Sequence, residues 1–212
     1  ATDERLFKPI IKKVANELLL KESTKTIDIE VQYIASKTGT SFTDKVLDVA
    51  KRGYKDYGVN MLVVHTDADD VKSKKAYTDR INPAIRAVEQ HNEQHNEPCC
   101  KICVPLVPIR ETESWMLADK ELFIRFIQTN MKETDLGIKG NAETFNNPKE
   151  KIKEAIRLGR ANMPKKIKDK LKIEHLYAYL GASIPVQCLE NYESYRDFKN
   201  NLRKALQNLG FL

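Results

Sequence analysis

Met61-Leu62-Val63-Val64-His65-Thr66-Asp67-Ala68-Asp69-Asp70 decides the fold. Its apolar half, bounded by Gly58 and by acids, has the pattern of a parallel strand covered on both faces. A second strand is expected over 101–109. Between them, 77–92 reads as a helix with Ile81, Ile85 and Val88 inward and Pro83 in its first turn. Working back toward the start, Leu6, Ile10, Val14, Ala15, Leu18 and Leu19 share one stripe of a helix over 2–20. Ile27, Ile29, Val31 and Tyr33 alternate as a strand with one buried face, and 43–57 reads as a second helix. Helix, strand, helix, strand, helix, strand is the order that yields a parallel sheet with helices on its faces.

Beyond Asp119 the pattern turns helical: a helix over 122–131, a Gly/Asn-rich loop over 137–147, then a helix opened by Pro148 with Ile152, Ala155, Ile156 and Leu158 inward. Gly181 and Pro185 are expected to break the later helices, and no strand is expected after Ile109. The expected organisation is an α/β core over 1–120 with an α-helical extension over 121–212 packed on it. A chain of 212 residues can bury enough apolar surface to fold without staples. No apolar run approaches the ~20 residues that span a bilayer, so no membrane role is expected. The opening residues carry no secretion signal, and Cys99, Cys100, Cys103 and Cys188 make a poor disulfide framework. A reducing, cytoplasmic setting follows as the expectation. The net charge of +6 gives a modest attraction to polyanions.

In an open α/β sheet, ligands bind beyond the carboxyl ends of the strands, which is where Asp67, Asp69 and Asp70 fall. Three carboxylates within four residues repel one another, and a hard cation with oxygen ligands, magnesium or manganese, offsets that repulsion. The bland alternative is a helix N-cap and a solvated acidic turn. Arg110-Glu111-Thr112-Glu113-Ser114-Trp115 follows the second strand and should reach the same edge. The expected catalytic set is Asp67, Asp69 and Glu113, with Asp70 as an outer candidate ligand. A metal held there could polarise a phosphodiester and lower the pKa of a water, and Arg110 could stabilise developing phosphate charge. Glu113 could instead simply cap the helix that contains Trp115.

Thr2-Asp3-Glu4-Arg5, Asp67-Ala68-Asp69, the segment from Arg110 through Trp115 to Asp119, and Asn147-Pro148-Lys149-Glu150 occur in an order that resembles a Toprim-like bacterial family related to RloB and abortive-infection proteins. The resemblance covers residues 1 to about 150. It implies a Toprim core, magnesium or manganese binding, and a nuclease role in anti-phage defence, often beside an ATPase partner. It also implies a glutamate at the end of a strand ahead of the first helix, upstream of Ala1, for which Glu4 is not taken as a substitute.

Other signals compete. His91, His95, Cys99, Cys100 and Cys103 include zinc-type ligands, but the spacing is not that of a standard finger, and Cys103 suits a small buried hydrophobe, so zinc is not the expected metal. Asp67-Ala68-Asp69-Asp70-Val71 also fits the aspartyl-nucleophile motif of haloacid-dehalogenase-type phosphatases, though without a convincing downstream acidic pair. A nucleotide-sugar transferase could use an Asp-x-Asp metal site as well. The run over 149–172, with Lys149, Arg157, Arg160, Lys165, Lys166, Lys168 and Lys170, could follow a phosphate backbone. Glutamates and Asp169 interrupt it, as on a solvated helix face. Tyr177, Tyr179, Tyr192 and Tyr195 could stack on bases or pack in a core. The expected function is a metal-dependent nuclease acting on DNA or RNA. The alternative from another class is a non-catalytic recognition or regulatory subunit of a defence complex.

Overall fold

The computed structural model describes residues 2–94, 98–168 and 170–212. Helix α1 (Thr2–Glu22) carries Asp3 and Glu4 in its first turn and Lys21 in its last, the charge order its dipole favours. Helix α2 (Phe42–Tyr57) opens on a capping box between Ser41 and Asp44 and closes at Gly58 in the left-handed conformation. Strands β1 (Met61–His65) and β2 (Ile102–Leu106) pair in parallel, Met61 opposite Ile102 and His65 opposite Leu106. They are connected through α3 (Lys74–Ala76), a π turn over Tyr77–Ile81, and α4 (Asn82–Gln94).

The rest is helical: α5 (Glu113–Met116), α6 (Lys120–Phe126), α7 (Pro148–Gly159), α8 (Lys165–Lys168), α9 (Leu176–Ser183), α10 (Val186–Leu189) and α11 (Glu193–Asn208). Among the described residues no strand follows β2, and no helix is long and apolar enough to cross a membrane.

The two strands divide the core by their pleat. Met61, Val63, Ile102, Val104 and Leu106 join a large cluster with α1, α5, α6, α7, α9 and α11, whereas Leu62, Val64 and Cys103 join a smaller one with α2 and α4. Helices therefore cover both faces of a small parallel sheet. The fold is nonetheless largely helical, with two paired strands where the sequence predicts a broader sheet. The shortfall lies at 27–33, which joins no ladder among the described residues. Its alternation has a different cause: Ile29 and Val31 pack on the large cluster and Ile34 on Gly53. Period-two patterning reports that one face is buried, and it does not require a hydrogen-bonded neighbour.

Met61, Leu62 and Val63 are half-buried instead of fully covered. A groove of about 670 Å³ runs along β1, between it, α1 and the 26–37 segment, lined by Phe7, Ile11, Ile29, Val31, Met61 and Val63.

Two helix boundaries also differ from expectation. The 122–131 helix ends at Phe126, and Gln128 beyond it has φ +60. Gly181 lies inside α9 and does not break it: a Cβ there would stand 2.5 Å from the Leu6 carbonyl oxygen, so the missing side chain lets α9 lie directly on α1. Pro185 does separate α9 from α10.

Candidate functional site

Past the paired strands, the two chains stay zipped together. Thr66 N–H donates to the Leu106 carbonyl at 3.3 Å, Ala68 N–H to Pro108 at 2.9 Å, Asp69 N–H to Arg110 at 3.0 Å, and Arg110 N–H to Asp70 at 3.1 Å. Asp69 (φ 55) and Arg110 (φ 66) both sit in the left-handed region, uncommon outside glycine, and face each other across this pair of bonds. The acidic loop after β1 and the Arg110–Glu113 segment after β2 are thereby held side by side.

Asp67 Oδ1 accepts from the Thr112 N–H at 2.8 Å and from Thr112 Oγ1 at 2.9 Å. His65 Nε2 lies 3.2 Å from Thr112 Oγ1 and 3.5 Å from Asp67 Oδ1. Since the threonine hydroxyl has one proton and gives it to Asp67, its lone pairs are left to accept from His65 Nε2–H. The Phe7 ring packs on the imidazole with centroids 4.7 Å apart. Together these contacts fix the Asp67 carboxylate at the strand end.

Glu113 opens α5 and is 4 % exposed, so its ionised form needs donors from elsewhere in the protein. Its Oε1 accepts from the Tyr177 hydroxyl at 2.5 Å and lies 3.1 Å from Lys149 Nζ. Burial and the bond to Glu113 push the Tyr177 phenol far above its ordinary range, so it remains a donor. The ammonium's own bond to Glu113 holds Lys149 above its usual value. The Lys149 N–H in turn donates to Glu111 Oε2 at 3.2 Å.

Burial raises the Glu111 carboxyl, and the Glu113 and Asp67 charges raise it further. Asp3, in the first turn of α1, behaves likewise: burial lifts its carboxyl, the Asp67 and Glu113 charges add to the rise, and His65 and Lys149 oppose it. Asp3, Asp67, Glu111 and Glu113 thus share one electrostatic field at the carboxyl edge of the sheet. His65 and Lys149 offset it.

Asp69 and Asp70 stand apart. The exposed Asp69 carboxylate takes Arg80 Nη1 at 3.0 Å, while Arg80 Nη2 donates to the Asp67 carbonyl at 2.7 Å. Asp70 Oδ1 accepts from the adjacent Val71 N–H at 2.6 Å. The structure brings together Asp67 and Glu113 of the expected set, adds Asp3, Glu111, His65, Lys149 and Tyr177, and uses Asp69 to clamp the loop. Among the described residues no three His, Cys, Asp or Glu side chains are arranged to hold a metal ion, and Thr112 engages Asp67 while Tyr177 and Lys149 engage Glu113. Carboxylate oxygens are the donors a hard divalent cation takes, but these do not form a complete ligand set among the described residues.

Of the cationic residues, Arg110 is half-buried, donates from Nη2 to Asn146 Oδ1 at 3.2 Å, and has a buried Nε without a hydrogen-bond partner. Arg157 pairs with Glu154 on the surface of α7. Arg160 is buried and donates to the carbonyls of Ile127 at 3.2 Å and Ile167 at 2.6 Å, tying the end of α7 to α6 and α8. Lys165 and Lys166 are exposed, and Asp169 lies outside the described residues.

His95 lies outside them too. His91, Cys99 and Cys100 are buried, and burial raises the thiols of Cys100 to about 11 and Cys103 to about 12, so both stay protonated near neutrality. Tyr192 and Tyr195 are core residues, and Tyr179 stacks on Phe126 at 4.3 Å.

Sequence reasoning named Tyr177 only as a base-stacking or core residue and missed its bond to Glu113, for which there is no local signal. Asp3 was visible only as part of the opening Thr2-Asp3-Glu4-Arg5 motif. Comparison of the chain with protein-family models, curated proteins and solved structures finds no significant match.

Proposed function

We propose that this chain carries a magnesium- or manganese-dependent phosphodiesterase site acting on DNA or RNA, in keeping with the Toprim-like, RloB-related defence nucleases its motifs resemble. The observation that carries this reading is the meeting of Asp67 with the Thr112–Glu113 turn at one edge of a parallel sheet, where Lys149 bridges Glu111 and Glu113. Asp67 and Glu113 are the principal candidate ligands, with Asp3 beside them. When bound, the cation would supply Lewis-acid polarisation of the phosphoryl group and a water of lowered pKa. The chain's own residues do the rest. Thr112 and His65 pin Asp67, Tyr177 orients Glu113, and Arg110 and Lys149 place positive charge where a phosphate would approach.

The phosphatase reading gains less support, since the acid it needs, Asp69, is drawn off to Arg80. A cytoplasmic setting and an ATPase partner belong to the phosphodiesterase proposal.

The test is titration of manganese into the full-length protein and its Asp67→Asn and Glu113→Gln variants, with circular dichroism confirming the fold, followed by a cleavage screen on single- and double-stranded DNA and RNA. Binding and cleavage should both be lost in the variants. Variants that bind manganese and cleave as well as the parent would overturn the proposal.

A further inference from the structure

Residues 160–172 carry six basic side chains and one acid, Asp169, so a net +5 falls within thirteen residues of a chain whose total is +6. The rest of the molecule is close to neutral, and its attraction to polyanions is therefore local. The fold sorts these charges. Arg160 is buried, and its bonds to the carbonyls of Ile127 and Ile167 tie α8 to the end of α6. Upstream on α7, Lys153 and Arg157 are taken by Glu150 and Glu154. Lys165, Lys166 and Lys168 on α8, with Lys170 and Lys172 just beyond it, have no carboxylate partner among the described residues. Ammonium groups crowded in this way repel one another, and a phosphate backbone relieves that repulsion.

The Arg160 clamp brings a second feature to the same place. Phe126, the neighbour of the clamped Ile127, stacks on Tyr179 with centroids 4.3 Å apart and planes 30° from parallel. Tyr179 stays 40 % exposed even so. Tyr177, Tyr192 and Tyr195 are buried, which leaves Tyr179 as the tyrosine of the four that a base can reach. A ring held flat by a stacked neighbour is a ready platform for an unpaired base, whereas bases inside a duplex are closed to it.

We infer that α8 and the Phe126–Tyr179 pair form a binding face for single-stranded nucleic acid: Lys165, Lys166 and Lys168 take phosphates, and Tyr179 takes a base. Arg160 acts through the others, holding lysines and aromatic pair side by side. Helix α7 links this face to the carboxylate edge, since Lys149 and Arg160 at its two ends stand about 16 Å apart along the helix. Binding at this face requires no metal ion. Only the identity of the bound strand as a substrate rests on the cleavage reading above.

The experiment is fluorescence anisotropy of labelled oligo(dT) and oligo(U) of about 15 nucleotides, and of a duplex of equal length, with the full-length protein and EDTA throughout. Both single strands should bind more tightly than the duplex, and the tighter of the two tells whether DNA or RNA is preferred. Replacing Lys165, Lys166 and Lys168 together by alanine should weaken binding about tenfold or more and reduce the slope of log affinity against log salt by about 2. Lys72→Ala/Lys74→Ala/Lys75→Ala, which removes the same charge from an exposed stretch elsewhere, should stay within about twofold of the parent. Tyr179→Ala should weaken binding about fivefold or more, while Tyr179→Phe, which keeps the ring, should stay within about twofold, with circular dichroism confirming the fold of each.

Equal losses in the two lysine triples would show diffuse attraction and overturn the inference. So would undiminished binding by Tyr179→Ala, a preference for duplex, or no binding of either strand at about 0.1 mM protein. Sedimentation with phosphatidylserine vesicles in place of oligonucleotide binding would overturn it in favour of a membrane surface, to which the exposed Ile167 among these lysines would also be suited. A strand that binds in EDTA but is not cleaved when manganese replaces the chelator leaves this face standing and overturns the cleavage reading alone.

Discussion

Replacing Gly181 by alanine sets two opposing effects against each other at the crossing of α9 on α1. Alanine in a helix interior gains about 1 kcal/mol over glycine. Against that, the new Cβ would stand 2.5 Å from the Leu6 carbonyl oxygen, 2.8 Å from Leu6 Cα and 2.9 Å from the Arg5 carbonyl oxygen, all of them backbone atoms of α1 that no rotamer change can move. Separating the helices also loosens the buried Leu6, Tyr177 and Leu180. Overpacking of this kind costs about 1–3 kcal/mol, and more where backbone must shift, so the clash outweighs the propensity gain.

A net loss of about 1–2 kcal/mol corresponds to a fall in melting temperature of about 3–6 °C for a chain of this size. Gly159→Ala is the contrast, because its Cβ would meet the Ile127 Cδ1 methyl at 2.9 Å and the Thr129 Cγ2 methyl at 3.1 Å, side-chain atoms that can give way. That variant should stay within about 1 kcal/mol of the parent. Thermal and urea unfolding followed by circular dichroism measure both. An unchanged or raised melting temperature in Gly181→Ala would refute the close crossing of α1 and α9.

Tyr177→Phe keeps the ring and deletes one of the donors to a buried carboxylate, which should cost about 1.5–3 kcal/mol in urea unfolding, and a loss below about 0.5 kcal/mol would show that Glu113 does not depend on it. Asp3→Asn tests the shared field in the metal-free protein. Because burial and neighbouring carboxylates raise the Asp3 pKa on folding, its charged form opposes folding above that raised value, and the penalty is absent below the unfolded value near 3.8. The variant should therefore melt above the parent at pH 7–8 and lose that advantage as the pH falls toward about 4. An advantage independent of pH would point to packing.

Much of this was legible in the chain where local chemistry sets the outcome. The 43–57 pattern marks α2, Pro148 marks the start of α7, and the apolar run at 61–64 marks β1. The meeting of Asp67 with Glu113 follows from parallel pairing, because residues just past two parallel strands emerge on one edge. Spacing alone could not tell which aspartate turns inward. The left-handed φ of Asp69 and the reach of Arg80 from the π turn decide that, and both are tertiary outcomes. A run of basic residues likewise cannot show that Arg160 spends its guanidinium on buried carbonyls while Lys165 and Lys166 stay in solvent. Tyr177 and Lys149 meet Glu113 only through packing of the helical half.

That dependence governs when the site can exist during synthesis. Asp3 leaves the ribosome before Tyr177, and at about 5–20 residues per second the interval between them is of order ten seconds or more. Through that interval Glu113 has no Tyr177 hydroxyl to accept from. Parallel pairing of β1 and β2 can bring Asp67 beside the Glu113 turn before α9 exists, but the buried Glu113 carboxylate gains its Tyr177 donor only when α9 closes over α1.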